Sequence, residues 1–124
     1  MNNEINLLTE AVIGAAIEVH KELGPGLLES AYQRALAYEL GQRGIPFEQQ
    51  KLCPVQYKDL IVDDAYRLDF LVKGLVVELK AVDALLAVHD AQVLTYLRFT
   101  GCHIGLLMNF RSTSLTKGLR RLAL

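Results

Sequence analysis

Two carboxylates and an ammonium stand close together in Arg67–Lys80, RLDFLVKGLVVELK. Asp69 and Glu78 lie on either side of the dipeptide Lys73–Gly74, and Lys80 comes two residues after Glu78. Apolar runs flank the dipeptide, and a two-residue turn with glycine second is a strong hairpin signal. With the turn there, Val72 faces Leu75, Phe70 faces Val77, Asp69 faces Glu78 and Arg67 faces Lys80. Side chains alternate along a strand, so Leu68, Phe70, Val72, Leu75, Val77 and Leu79 form a dry face. Arg67, Asp69, Leu71, Val76, Glu78 and Lys80 form the other. Like charges opposed across strands destabilise a sheet, and partly buried charges are rarely left without partners. Lys80 and Arg67 could offset the repulsion alone. A divalent cation between Asp69 and Glu78 would do so too, since hard cations take such oxygens. It would lower the pKa of an attacking water and polarise a phosphoryl oxygen, while Lys80 oriented the water and steadied charge developing on the phosphate. That division of labour suits phosphodiester hydrolysis, which is mainly positioning and charge neutralisation.

The elements that must hold these residues are legible from periodicity. Asn6–Leu23 reads as a helix, with Leu8, Val12, Ala15, Ala16, Val19 and Leu23 at helical spacing and Ile13 and Ile17 on a second apolar side. Gly24-Pro25-Gly26 ends it, Gly24 as a left-handed cap. A second helix runs from about Leu28 to Arg43 on the stripe Leu28, Ala31, Tyr32, Ala35, Leu36 and Leu40, and Gly44 stops it. Phe47–Tyr57 reads as a strand made peripheral by Pro54, and Lys58–Asp64 as a polar turn region. After the hairpin, Leu85–Thr100 reads as a third helix with an apolar face of Leu85, Val88, Leu94 and Leu97, capped by Gly101. His89, Gln92 and Tyr96 share another of its faces. His103–Met108 is a short buried strand, reached by a parallel crossover. Leu115–Leu122 reads equally as helix or strand. The order α-α-β-β-β-α-β predicts an α/β fold with a mixed sheet flanked by helices.

At 124 residues, with 52% hydrophobic and 22% charged residues, the chain has the size and composition of one globular domain, 1–124. A net charge of −1 argues against a large nonspecific basic surface. The end of the chain carries Arg111, Lys117, Arg120 and Arg121 without acids, which reads as a solvated tail sooner than as a phosphate-contacting patch. Cys53 and Cys102 form no metal or redox motif and read as small buried hydrophobes in a reducing compartment. The N-terminus lacks the basic segment of a signal peptide, and Glu10, Glu18 and Glu22 interrupt the first apolar stretch, so no membrane span is expected. These features predict a cytoplasmic protein. The apolar surplus and the two-sided first helix predict a homodimer.

Asp69, eight intervening residues and then Glu78-Leu79-Lys80 resembles the D…(D/E)xK signature of the PD-(D/E)XK nuclease superfamily. Gly26-Leu27-Leu28-Glu29-Ser30-Ala31-Tyr32 resembles the motif that names the GxxExxY protein family, a branch of that superfamily. Gln92-Val93-Leu94-Thr95-Tyr96 is similar to the QxxxY element that follows the active-site lysine in exonuclease-like members. An ExK alone is a weak signal; three motifs in family order are specific. Leu68 stands where the superfamily's name-giving proline would precede the aspartate. The resemblance implies a restriction-endonuclease-like α-β-β-β-α-β core with an extra N-terminal helix, Mg²⁺ or Mn²⁺ dependence and action on DNA or RNA. It implies that Asp69 and Glu78 ligate the metal with the Leu79 carbonyl, that Glu29 reaches it directly or through water, and that Lys80 is the catalytic lysine. Gln92 and Tyr96 would orient the site or contact nucleic acid.

Simpler explanations exist for each residue alone. Glu29 in a first helical turn suits the helix dipole, and Asp69, Glu78 and Lys80 could be a structural salt-bridge face. Only the combined pattern favours a metal site. His20 and His103 read as structural, whereas His89 starts the polar face continued by Gln92 and Tyr96. Ser30, Ser112 and Ser114 have no nucleophile-elbow context. A metal-dependent nuclease is thus the leading reading. A catalytically inactive binding or assembly module on the same fold is the alternative, and phosphate-ester chemistry on a small molecule is a third.

Overall fold

The computed structural model describes residues 3–124; of the N-terminal segment read above, Met1 and Asn2 lie outside the described residues. The chain runs α1 (Asn3–Leu23), α2 (Glu29–Gln42), β1 (Glu48–Tyr57), β2 (Leu60–Val72), β3 (Leu75–Lys80), α3 (Ala87–Thr100), β4 (Ile104–Asn109), a 3-10 turn (Leu115–Gly118) and β5 (Leu119–Ala123). The strands form one sheet in sequence order. β3 and β4 are parallel and the other neighbours antiparallel. The α3 crossover links the parallel pair, as the strand–helix–strand pattern predicts.

Helices cover both faces of the sheet. On one, Val12, Ala16 and Val19 of α1 and Tyr32, Leu36 and Leu40 of α2 pack on Phe70, Val72, Val77, Leu79 and Met108. On the other, Val93 and Leu97 of α3 pack on Leu68, Val76 and Leu107. β3 is therefore buried on both sides from Leu75 to Leu79, which is why its sequence is a near-continuous apolar run. The turn at Lys73–Gly74 forms as expected, both residues at positive φ, 47° and 83°, the backbone that lets two strands of natural twist meet across two residues.

Several expectations change. The dry hairpin face does not run unbroken, because Leu68 packs with the α3 cluster while Phe70 and Val72 pack under α1 and α2. Alternation breaks at Asp69, opposite Gln50, whose φ is +54°. Arg67 does not face Lys80; it pairs with Leu52 on β1. The polar region from Lys58 to Asp64 shrinks to a Lys58–Asp59 turn, and β2 begins at Leu60 because Leu60, Ile61 and Val62 pair with Tyr57, Gln56 and Val55. Pro54 sits at a register shift between Cys53 and Val55 on an edge strand, where its missing N–H removes no necessary ladder bond. On α3 the buried positions are Val93 and Leu97, whereas Val88 is exposed. α3 turns Val93 toward Gly105, whose lack of a side chain admits it. The undecided tail becomes β5, paired antiparallel with β4. Ile13 and Ile17, the second apolar side of α1, pack against this chain's own core. No helix among the described residues is long and apolar enough to cross a membrane.

Candidate functional site

β2 and β3 pair through only Val72–Leu75, Leu71–Val76 and Phe70–Val77. At the next step the side chains take over from the backbone ladder. The Asp69 N–H donates to Glu78 Oε1 at 2.9 Å, and the Leu79 N–H donates to Asp69 Oδ2 at 2.9 Å. Each acid thus satisfies a backbone donor on the opposite strand, which buried amides require, and keeps its second oxygen for another partner. The expected opposition of Asp69 and Glu78 is present, but as a reciprocal side-chain clasp where the strands part.

Glu78 is only 3% exposed. Burial first, and the facing Asp69 second, push its carboxyl up to about 8, although the Asp69 N–H and the Lys80 charge favour the anion. Among the described residues neither Lys80 nor Arg67 forms a salt bridge with these acids. The simpler account, a closed structural ion-pair face, is therefore not what the geometry contains. Lys80 ends β3 beside Asn109 in the parallel register, and its carbonyl accepts the Phe110 N–H at 2.8 Å.

Glu29 arrives from the first turn of α2. Burial and then the Asp69 charge raise its pKa, while Lys80 and a hydrogen bond from Gln33 hold it down. Gln33 Nε2 donates to Glu29 Oε2 at 3.2 Å, and Gln33 is itself held by Gln50 of β1. From the other face, α3 brings Tyr96. Its hydroxyl pKa is raised by burial, then by the charges of Glu78 and Asp69, and lowered by a hydrogen bond with Gln92. The Tyr96 ring stacks on Tyr66, with centroids 5.0 Å apart. His89 caps α3, its Nδ1 accepting the Leu86 N–H at 2.9 Å.

Glu29, Asp69, Glu78, Lys80, Gln92 and Tyr96 thus converge where β2 and β3 diverge, between the start of α2 and one face of α3. His20 and His103 each contact a backbone carbonyl, of Ser112 at 2.9 Å and of Leu124 at 3.2 Å, and lie outside this group. Among the described residues no group of three or more Asp, Glu, His or Cys side chains forms a ready cation cluster. The donor set is the Asp69–Glu78 pair, with Glu29 beside it. Two opposed carboxylates, one of them almost wholly buried and held toward its neutral form, fit a divalent cation, which would stabilise both anions.

Some residues around the site carried no local signal in the sequence. Asn109, buried at the end of β4, donates to the Val82 carbonyl at 2.8 Å and accepts the Val82 N–H at 3.1 Å, pinning the segment after Lys80. Gln50 and Tyr66 likewise act through contacts far apart in sequence, with Gln33 and with Tyr96. The cations of the C-terminal segment are mostly engaged within the chain: Arg111 with Asp83, Arg120 with Asp90 and Arg121 with Asn6.

No curated protein and no solved structure matches the chain significantly. A family model of the PD-(D/E)XK nuclease superfamily matches residues 6–122, and with the acid–acid–lysine arrangement at the parting of β2 and β3 the chain belongs to that superfamily.

Proposed function

We propose that this protein is a Mg²⁺- or Mn²⁺-dependent nuclease that hydrolyses phosphodiester bonds in DNA or RNA, on the GxxExxY branch of its superfamily. The observation that carries the reading is the reciprocal clasp of Asp69 with the buried Glu78, without a salt-bridge partner among the described residues, with Lys80 two residues along the strand. Asp69 and Glu78 would hold the ion with the Leu79 carbonyl, and Glu29 would complete the set directly or through water. The bound ion would supply a more acidic water and a polarised phosphoryl oxygen.

Lys80 has the remaining work. Its ammonium orients the attacking water and steadies negative charge as it grows on the phosphate. A cation bound near neutral pH would displace the proton that burial and Asp69 hold on Glu78. Tyr96, oriented by Gln92 and braced on Tyr66, offers a hydroxyl beside the acids for a phosphate oxygen or a water. His89, tied by Nδ1 to the start of α3, keeps Nε2 for substrate. Purified protein with Mn²⁺ should cleave single- or double-stranded DNA or RNA, and Lys80→Ala should lose at least about 100-fold in rate while keeping the fold. Equal cleavage by the variant refutes the catalytic assignment.

A second reading, a non-catalytic assembly module, is favoured by the far end of β1 and β2. There Tyr57, Leu60 and Ile61 are 61%, 60% and 60% exposed. Exposed apolar clusters of this kind mark contact surfaces, and a homodimer through this ribbon is part of that reading. Mn²⁺ calorimetry separates the two: the absence of heat from a folded protein favours the module.

A further inference from the structure

The tyrosine of the Gly26–Tyr32 motif has no role in the chemistry above, yet it is fully buried. Its hydroxyl donates to the Gly24 carbonyl and accepts the Leu27 N–H, the latter at 3.0 Å. Both partners lie in the connection between α1 and α2, immediately before Glu29. That connection is Gly-Pro-Gly-Leu-Leu, with two glycines that give the backbone wide freedom. α2 also starts without a side-chain cap, at Leu28. Little else there fixes the height and direction at which the first turn of α2 meets the sheet. The Tyr32 ring stacks on Phe110 at a centroid distance of 4.7 Å, and Phe110 donates its N–H to the Lys80 carbonyl. One side chain thus touches the entry to Glu29 and the residue that ties down the end of β3.

We propose that Tyr32 is a positioning residue, whose clamp on the Gly24–Leu28 connection sets Glu29 against the Asp69–Glu78 pair. The proposal rests on the metal-site reading above. It explains the motif's spacing: one helical turn separates Glu29 from Tyr32, so a hydroxyl anchored in the core can hold the backbone from which the carboxylate projects. The clamp acts on the preceding loop, not on the metal, and Tyr32 is not itself a ligand.

The test is Mn²⁺ titration calorimetry on the intact protein and on Tyr32→Phe, Glu29→Gln and the double variant. Tyr32→Phe keeps the ring on Phe110 and removes both hydrogen bonds. Loss of a group that orients a ligand weakens metal binding by about tenfold or more. The expected result is a loss of that size in Tyr32→Phe, comparable to Glu29→Gln, with no further loss in the double variant, because Tyr32 acts only through Glu29. Should Tyr32→Phe fold poorly, Leu27→Pro removes the N–H donor from an exposed loop position and must give the same non-additivity. Wild-type affinity in Tyr32→Phe while Glu29→Gln weakens binding overturns the clamp and leaves the metal site standing, as do additive losses. Failure of the wild-type protein to bind Mn²⁺ overturns the metal site, and the clamp's role with it.

Discussion

Glu78 concentrates the physics of the site, because it is the one acid buried almost completely beside a second acid. Its folded-state pKa of about 8 lies above the 4.5 of a free glutamate side chain. The folded protein therefore holds this proton more tightly than the unfolded chain. The stabilisation from the neutral carboxyl is complete below pH 4.5 and is lost as pH rises toward 8, by at most about 1.4 kcal/mol per pH unit. Metal-free protein should accordingly lose thermal stability relative to Glu78→Gln between those limits, which parallel melting curves would show. Saturating Mn²⁺ should cancel the difference, since the ion takes the proton's place. Flat, parallel curves for both proteins would contradict the burial argument. Asp69→Asn should lower metal affinity as well as cleavage, whereas Lys80→Ala should spare metal affinity and remove cleavage; calorimetry beside a cleavage assay separates the two effects.

Among the elements, α3 is held by a close packing constraint against β4. A Cβ on Gly105 would lie 2.7 Å from Cγ1 of Val93 and 3.5 Å from Cδ2 of Leu97. Val93 is β-branched, with little freedom to turn away. Gly105→Ala should therefore destabilise by about 1–3 kcal/mol through overpacking, read as a lower urea midpoint. Val93→Ala added to it should recover part of the loss, because the two changes share one space. The same crossover carries Gln92 and Tyr96, so the displaced helix should also cost cleavage activity. At the other side of the sheet, α2 contributes Glu29 from its first turn, and the Gln33–Gln50 contact ties that turn to the edge strand.

For the molecule as a whole, binding and stability are linked. An ion that binds only the folded state at a hundredfold excess over its Kd adds about 2.7 kcal/mol. Mn²⁺ should raise the melting temperature of the wild type and leave Asp69→Asn nearly unmoved, as scanning calorimetry would show. Tyr57, Leu60, Ile61 and Val62 form a contiguous group of exposed apolar side chains at the ends of β1 and β2, whereas α1 exposes Leu7 and Leu23 singly. If the protein self-associates, Ile61→Lys should lower the mass seen by light scattering, whereas Leu7→Lys on α1 should not. A mass unchanged by Ile61→Lys would exclude the ribbon as the contact.

The sequence alone determined the three helices, the central hairpin with its turn at Lys73–Gly74, and the parallel step through α3, because each is written in local periodicity, glycines and chain connectivity. It also singled out Asp69, Glu78 and Lys80, whose closeness follows from one tight turn. Tertiary structure decided how they meet. Three ladder pairs and then a side-chain clasp replace the continuous pairing expected, and the faces exchange at Asp69. A local pattern cannot announce such a break, since it is a matter of how β2 pairs with β1 on one side and β3 on the other. The tail became a strand because β4 offered an open edge, and Tyr32, Asn109 and Gln33 gained their roles from partners distant in sequence or held only in the folded chain. Hydrogen bonding and burial at those positions belong to the assembled sheet and helices, not to any single stretch.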